Sequence, residues 1–193
     1  MPDDSKLETI PVGSLGIIAH KSIVPLGKKV DSYIVKWRKN RQNENKSSIV
    51  FHGYEKDSYL IDTDCPRFGS GEAKGIVNES VRGKDIYIML DVGNYSCTYT
   101  MAGQTQRMSP DDHYADLKRI ISAMTDKPRK LTVIMPFLYE SRQHKRSGRE
   151  SLDCAVMLQE LKQYGVDNIV TFDAHDPRVV NAIPKSGFRS EEH

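Results

Sequence analysis

A chain of 193 residues with 38% hydrophobic side chains can fill one packed core and little more. Its 28 Lys and Arg against 26 Asp and Glu leave a formal charge of +2, which lacks the basic excess of a dedicated nucleic-acid binder, so no nucleic-acid partner is expected. The longest apolar stretches, such as 131–135 and 15–19, fall far below the ~18 residues of a membrane span, and Met1-Pro2-Asp3-Asp4-Ser5-Lys6 opens no secretory signal, so the chain reads as cytoplasmic with no membrane partner.

In chain order, residues 1–14 read as a tail. Leu15–Ala19 predicts a short strand, Lys29–Arg41 a helix carrying the single Trp37, and Ser58–Ile61 a second short strand. Ile86–Leu90 predicts a buried strand. The polar stretch from Asp91 to Met108 predicts no element. Ser109-Pro110-Asp111-Asp112 supplies a capping hydroxyl, a Pro at the first helical position and an acid at the third, so a helix should start there. Leu117, Ile120, Ile121 and Met124 continue it with a core-facing stripe. Leu131–Met135 predicts a strand stopped by Pro136, and 137–149 is too polar for a core element. Ser151 is the expected cap of a further helix facing inward with Leu152, Ala155, Val156, Leu158 and Leu161, and Gly165 suits its end. Asn168–Phe172 predicts the next strand. Strand, helix and strand in this order imply parallel pairing with right-handed crossovers. Leu117, Ile121, Val133, Ile134, Val156, Leu161, Ile169 and Val170 are then expected to share one core.

In an open parallel sheet, ligands bind beyond the carboxyl ends of the strands. Two loops there carry chemistry. Arg142, Lys145, Arg146 and Arg149 place four cations within eight residues, a pattern that suits a polyphosphate and also describes a solvated basic loop. Asp173 and His175, with Asp176 beside them, suit Mg²⁺ or Mn²⁺ held jointly with phosphate, although a His after a strand is also a common structural feature. Geometry predicts that Arg142, Gln143 and His175 share one cleft, because parallel neighbours deliver both loops to one edge. Phe68-Gly69-Ser70-Gly71-Glu72 fits neither common nucleotide-binding glycine motif, so its glycines are read as turn formers. Cys65, Cys97 and Cys154 are odd in number and widely spaced, which points to reduced thiols rather than a disulfide framework or zinc cluster.

Taken together, Phe68-x-x-Gly71-Glu72, Glu79-Ser80-Val81-Arg82-Gly83-Lys84-Asp85 leading into a strand, Arg142-Gln143 after a Pro-ended strand, and Asp173-x-His175 resemble the N-terminal half of ribose-phosphate diphosphokinase, also called phosphoribosyl-pyrophosphate synthetase. The resemblance runs from about Cys65 to Pro184 and implies an α/β fold with a parallel, type I phosphoribosyltransferase-like sheet flanked by helices. It implies a transferase that moves diphosphate from ATP to ribose 5-phosphate with Mg²⁺, giving phosphoribosyl pyrophosphate and AMP, as a dimer-based homo-oligomer. On this resemblance Arg142 and Gln143 are ATP contacts. Asp173 and His175 stand at the magnesium-triphosphate site with His175 the catalytic candidate, and Phe68 and Glu72 belong to a loop that holds adenine across a dimer interface.

His144 stands where the family commonly has Asp after Arg-Gln, and Ser70 where it has Asp before Gly-Glu. The region before Cys65 is longer than in the common form, as in a long-form branch. The family's ribose-phosphate loop and its mobile cationic loop have no counterpart in these residues. Residues 15–184 are therefore expected to be the N-terminal domain, and 185–193 the start of a connection to a second domain. The chain alone is expected not to make phosphoribosyl pyrophosphate. Two other readings remain at this stage: a non-catalytic nucleotide-binding or regulatory member of the family, and a metal-dependent phosphohydrolase.

Overall fold

A computed structural model of the chain describes residues 13–43, 56–145, 147–176, 179 and 188–190. In chain order the elements are β1 (Leu15–Ala19), α1 (Val24–Asn43), β2 (Thr63–Asp64), β3 (Ile76–Val77), β4 (Asp85–Met89), β5 (Thr98–Met101), β6 (Gln104–Arg107), α2 (Pro110–Ala123), β7 (Lys130–Ile134), α3 (Asp153–Gln163), β8 (Asn168–Thr171) and β9 (Phe188–Ser190). Five of the strands form one parallel sheet in the order β1-β4-β7-β8-β9, so spatial order follows chain order. The expected strands at 15–19, 86–90, 131–135 and 168–172 all lie in it. Leu90 and Met135 fall just past their strands, yet both are fully buried, and their N–H groups still donate to Ile134 and Val170 at 3.0 and 2.9 Å. The expected strand at 58–61 is reduced to one parallel bridge from Leu60 to Ile17, flanked by two 2.8 Å hydrogen bonds that cover the free edge of β1.

The sheet separates two apolar clusters, because alternate residues of a strand point to opposite faces. On one side Ile18, Ile86, Ile88 and Val133 pack with Leu117, Ile120 and Ile121 of α2 and with Met157, Leu158 and Leu161 of α3. On the other, Ile17 and Met89 pack with Ile23, Tyr59 and the Val30–Ile34–Val35 side of α1. The helix expected at 29–41 is longer, beginning at Val24 with Pro25 in its first turn. It lies so close to β1 that a Cβ on Gly27 would stand 2.4 Å from that of Ala19, which only glycine permits.

The start of α2 is as expected. The Asp112 N–H donates to the Ser109 hydroxyl at 3.1 Å, and the Ser109 N–H donates back to the Asp112 carboxylate at 2.9 Å. The start of α3 is not. Leu152 occupies the cap position with no side-chain bond, while the Ser151 hydroxyl donates instead to the Asp153 carboxylate at 2.6 Å. Its inward face is also displaced by one residue from the expected one. Cys154, Met157, Leu158 and Leu161 are buried and Val156 is 57% exposed, because the apolar stripe at i, i+3, i+4, i+7 starts from Cys154. Of the eight expected core residues, Leu117, Ile121, Val133, Leu161 and Ile169 are buried, and Ile134 and Val170 are half-buried. Gly165 ends the helix with φ +84°, as its position suggested.

Two small antiparallel units stand apart from the sheet. Strands β2 and β3, with a bridge from Arg67 to Ala73, form a hairpin whose tip is Phe68–Glu72. The unassigned stretch 91–108 contains the β5–β6 hairpin, which turns at Ala102 and Gly103 with φ +50° and +77°. Most of 1–14 and of 185–193 lies outside the described residues. Within the latter, 188–190 supplies β9. No helix among the described residues is long and apolar enough to cross a membrane.

Candidate functional site

The loops after β7 and β8 stay joined beyond their strands. The N–H groups of Phe172 and Asp173 both donate to the Pro136 carbonyl, at 3.1 and 2.9 Å, and Leu138 N–H donates to the Asp173 carbonyl at 3.2 Å. The buried Thr171 hydroxyl adds a 3.2 Å bond to the same Pro136 carbonyl. The proline that stops β7 therefore offers the acceptor that holds the two loops to one edge of the sheet. Farther out, His144 Nε2 lies 3.0 Å from an Asp176 carboxylate oxygen, and its ring centre is 5.8 Å from that of His175. The basic loop and the Asp-x-His loop are thus brought together, and the link runs through His144, next to Arg142 and Gln143.

Within this edge the predicted residues differ in how free they are. Gln143 is anchored: its carbonyl accepts from Cys154 N–H at 3.3 Å and its side-chain amide donates to the Ser151 carbonyl at 3.5 Å. Arg142, Asp173 and His175 are exposed, and neither Arg142 nor the Asp173 carboxylate has a side-chain hydrogen bond or ion pair among the described residues. Beneath them the Ser141 hydroxyl is buried without a partner among the described residues, and Glu140 holds φ +56°. Burial pushes the Glu140 carboxyl up, helped by the nearby charges of Asp153 and Asp111. The Tyr139 hydroxyl donates to Asp111 at 2.6 Å, and its ring stacks on Tyr114 at 4.6 Å, which ties this loop to the start of α2.

Among the described residues no group of three or more His, Cys, Asp or Glu side chains is placed to hold a metal. Asp173 and His175 offer two open donors on one loop, which fits Mg²⁺, an ion that keeps few protein ligands and takes the rest from phosphate and water. They do not fit a closed zinc-type site.

Phe68 and Glu72 sit at the β2–β3 hairpin tip. Phe68 N–H donates to the Glu72 carbonyl at 2.7 Å, the Ser70 hydroxyl to the Glu72 carboxylate at 2.8 Å, and Ala102 N–H of the second hairpin to the Gly69 carbonyl at 2.9 Å. Phe68 is 54% exposed and Glu72 is exposed. The hydrogen bonds of this turn run within itself, to Arg67 and to the β5–β6 hairpin, not to the loops after β7 and β8.

Sequence reasoning missed a dense charge cluster around Asp116. The Asp116 carboxylate, fully buried on α2, receives Arg119 at 2.8 Å, Arg67 at 3.1 Å and His20 Nε2 at 3.4 Å. Burial alone would raise its carboxyl, but the His20 hydrogen bond and the two guanidinium charges outweigh that and hold it below the usual range. The same burial with the Asp116 charge pushes the adjacent Cys65 thiol up to about 12, so it is no nucleophile. His20 Nδ1 is also 2.8 Å from the Ser22 hydroxyl, giving a Ser-His-Asp line. All three are buried, and the Ser22 oxygen already accepts Asp91 N–H at 3.0 Å, so the line is a strap between the ends of β1 and β4 and no reacting group. The available signal was His113 and Asp116 occupying inward positions of the α2 stripe.

Among the described residues, three helices on a parallel sheet, with the two loops at its carboxyl edge, define an α/β domain. The family model described as the N-terminal domain of ribose phosphate pyrophosphokinase matches residues 15–165. The chain belongs to the ribose phosphate pyrophosphokinase family and carries its N-terminal domain. It is 30% identical over 116 residues to ribose-phosphate pyrophosphokinase 1 of Schizosaccharomyces pombe, covering 59% of this chain and 25% of that protein. Ribose-phosphate pyrophosphokinase of Vibrio parahaemolyticus is 28% identical over 123 residues, 62% of this chain and 35% of that protein. The fold matches phosphoribosylpyrophosphate synthetase from Mycobacterium smegmatis with a TM-score of 0.68 at 19% identity, over 93% of this chain and 48% of that one. The chain thus spans about half of that structure and a quarter to a third of these curated relatives, and its sheet is of the phosphoribosyltransferase-like type.

Proposed function

We propose that this chain is the ATP-binding part of an enzyme that transfers diphosphate from ATP to ribose 5-phosphate, giving phosphoribosyl pyrophosphate and AMP. The observation that supports this most is the meeting of Arg142 and the Asp173 carboxylate, neither with a side-chain hydrogen bond or ion pair among the described residues, and the exposed His175, on loops held together at one sheet edge. Arg142 and Gln143 contact the phosphates, and charge-assisted donation from Arg142 stabilises charge that grows on them during transfer. Asp173 and His175 would hold Mg²⁺, which when bound neutralises phosphate charge. Phe68 and Glu72 present a ring face and a carboxylate to the base and amino group of adenine bound by a neighbouring copy, so the working form is a dimer-based assembly in the cytoplasm. These residues hold no counterpart of the family's ribose-phosphate loop, so the chain alone is expected to make no product.

Calorimetric titration with ATP, with and without Mg²⁺, tests the reading. His175→Ala should weaken binding only when Mg²⁺ is present. Arg142→Ala should weaken it in both conditions by roughly 1.5–3 kcal/mol. Equal losses for both variants in both conditions would remove the metal role from His175, and no ATP binding by the wild-type chain would overturn the site.

A further inference from the structure

The exposed Phe68–Glu72 turn is held from two sides. Arg67, the residue just before it, has a side chain only 7% exposed. Its guanidinium reaches the Asp116 carboxylate at 3.1 Å, the Gly71 carbonyl inside the turn at 3.5 Å, and the face of Tyr99 of β5 at 4.8 Å. One planar cation therefore grips the root of the turn, its fourth residue and the neighbouring hairpin. Asp116 in turn is fixed by Arg119 on its own helix and by His20 at the end of β1. On the far side, Ala102 N–H holds Gly69, and Gly71 at φ +93° fits so closely that a Cβ there would stand 2.7 Å from the Met101 sulfur.

A turn that displays a half-exposed aromatic ring and an exposed carboxylate on so rigid a support loses little freedom when it meets a ligand. We propose that Arg67 and Asp116 are positioning residues that set the Phe68–Glu72 turn in its base-contacting shape before nucleotide arrives, with Tyr99 of the β5–β6 hairpin as their outer support. This rests on the reading of Phe68 and Glu72 as base contacts. It goes beyond that reading in assigning the buried Asp116 cluster and the hairpin to base recognition and not only to stability.

The discriminating quantity is the ratio of affinities for ATP and for inorganic tripolyphosphate, each with Mg²⁺, measured by calorimetry on the 193-residue chain. Tripolyphosphate has the phosphates and no base, so a change in the ratio reports the turn, and a loss shared by both ligands reports general damage. The wild-type chain should prefer ATP by about tenfold. Arg67→Ala should bring that preference close to unity while leaving tripolyphosphate affinity unchanged, and Arg67→Lys, which keeps the charge without the planar fork, should retain part of it. Because Arg67→Ala could impair folding, Tyr99→Leu, on a half-exposed side chain, serves as the second variant and should lower the preference about threefold. If Arg67→Lys and Tyr99→Leu keep the wild-type ratio, or lower both affinities together, the positioning role is overturned while the base-contact reading stands. If the wild-type chain shows no preference for ATP, the base-contact reading fails and this inference with it.

Discussion

The carboxyl edge of the sheet has two halves built from the same residue types and put to opposite uses. At the ends of β1 and β4, Asp116 and His20 are buried, and the partly buried Arg67 and Arg119 converge on the Asp116 carboxylate. At the ends of β7 and β8, Arg142, Asp173 and His175 are exposed and face no partner charge. A buried carboxylate already surrounded by Arg67, Arg119, His20 and Lys21 has little capacity left for a ligand. Free cations and carboxylates held at fixed separation by backbone bonds have that capacity and contribute little to stability. Charge in a cleft therefore signals a binding site only where it is left unspent.

Removing the hub of the buried half should have the largest effect. Asp116→Ala leaves Arg67 and Arg119 facing each other without their carboxylate and should cost about 3–5 kcal/mol in urea unfolding, whereas Arg142→Ala should change stability by less than about 0.5 kcal/mol. Similar costs for the two would erase the contrast. The acid limb sharpens it further. Because the Asp116 carboxyl is held below its ordinary value of 3.8, its contribution is complete above that value and is lost as pH falls through the lower folded value. Melting temperature followed below pH 4 should therefore drop less steeply in Asp116→Asn than in the parent, measured from each protein's own neutral-pH plateau.

Ser22→Ala should cost about 1–3 kcal/mol, since it removes the acceptor of the half-buried Asp91 N–H and leaves His20 Nδ1 only the Ser22 backbone N–H. A neutral result would mean that the strap between β1 and β4 is not needed. A modest stability effect belongs to His144→Ala, about 1 kcal/mol for the lost bond to Asp176. That change should weaken Mg²⁺-dependent ATP binding more than metal-free binding, because it releases the Asp-x-His loop from the Arg-Gln loop. Unchanged binding in both conditions would show that the shared Pro136 carbonyl aligns the loops unaided.

The sheet was legible because its signals are local. Short β-branched runs, a Pro stop and the Ser109–Asp112 capping pattern each depend on a few adjacent residues. The α3 face was read one residue out of phase because Val156 looks more apolar than Cys154 and Met157, which fill the space. The β5–β6 hairpin escaped notice because its turn uses Ala102-Gly103, where an Asn-Gly pair would have announced positive φ. The two loops of the candidate site were legible from their place after strands. The Asp116 cluster was not, since its partners come from residues 20, 67 and 119 and meet only in the fold, while a lone Asp on a helix reads as a solvated one.

The strand order β1-β4-β7-β8-β9 also bears on how the protein is made. In a doubly wound sheet the later strands must find an edge on the far side of earlier ones. Here the segment at Leu60 takes the far edge of β1, and from β4 onward each new strand of the sheet joins the edge left by its predecessor, so that part of the sheet can be laid down in the direction of synthesis. The cost of this one-way growth is that a fresh, unpaired strand edge is always on show at the growing end. Until Phe188–Ser190 dock, that edge is β8, whose Asn168–Thr171 ladder is then open to pairing with a second nascent chain.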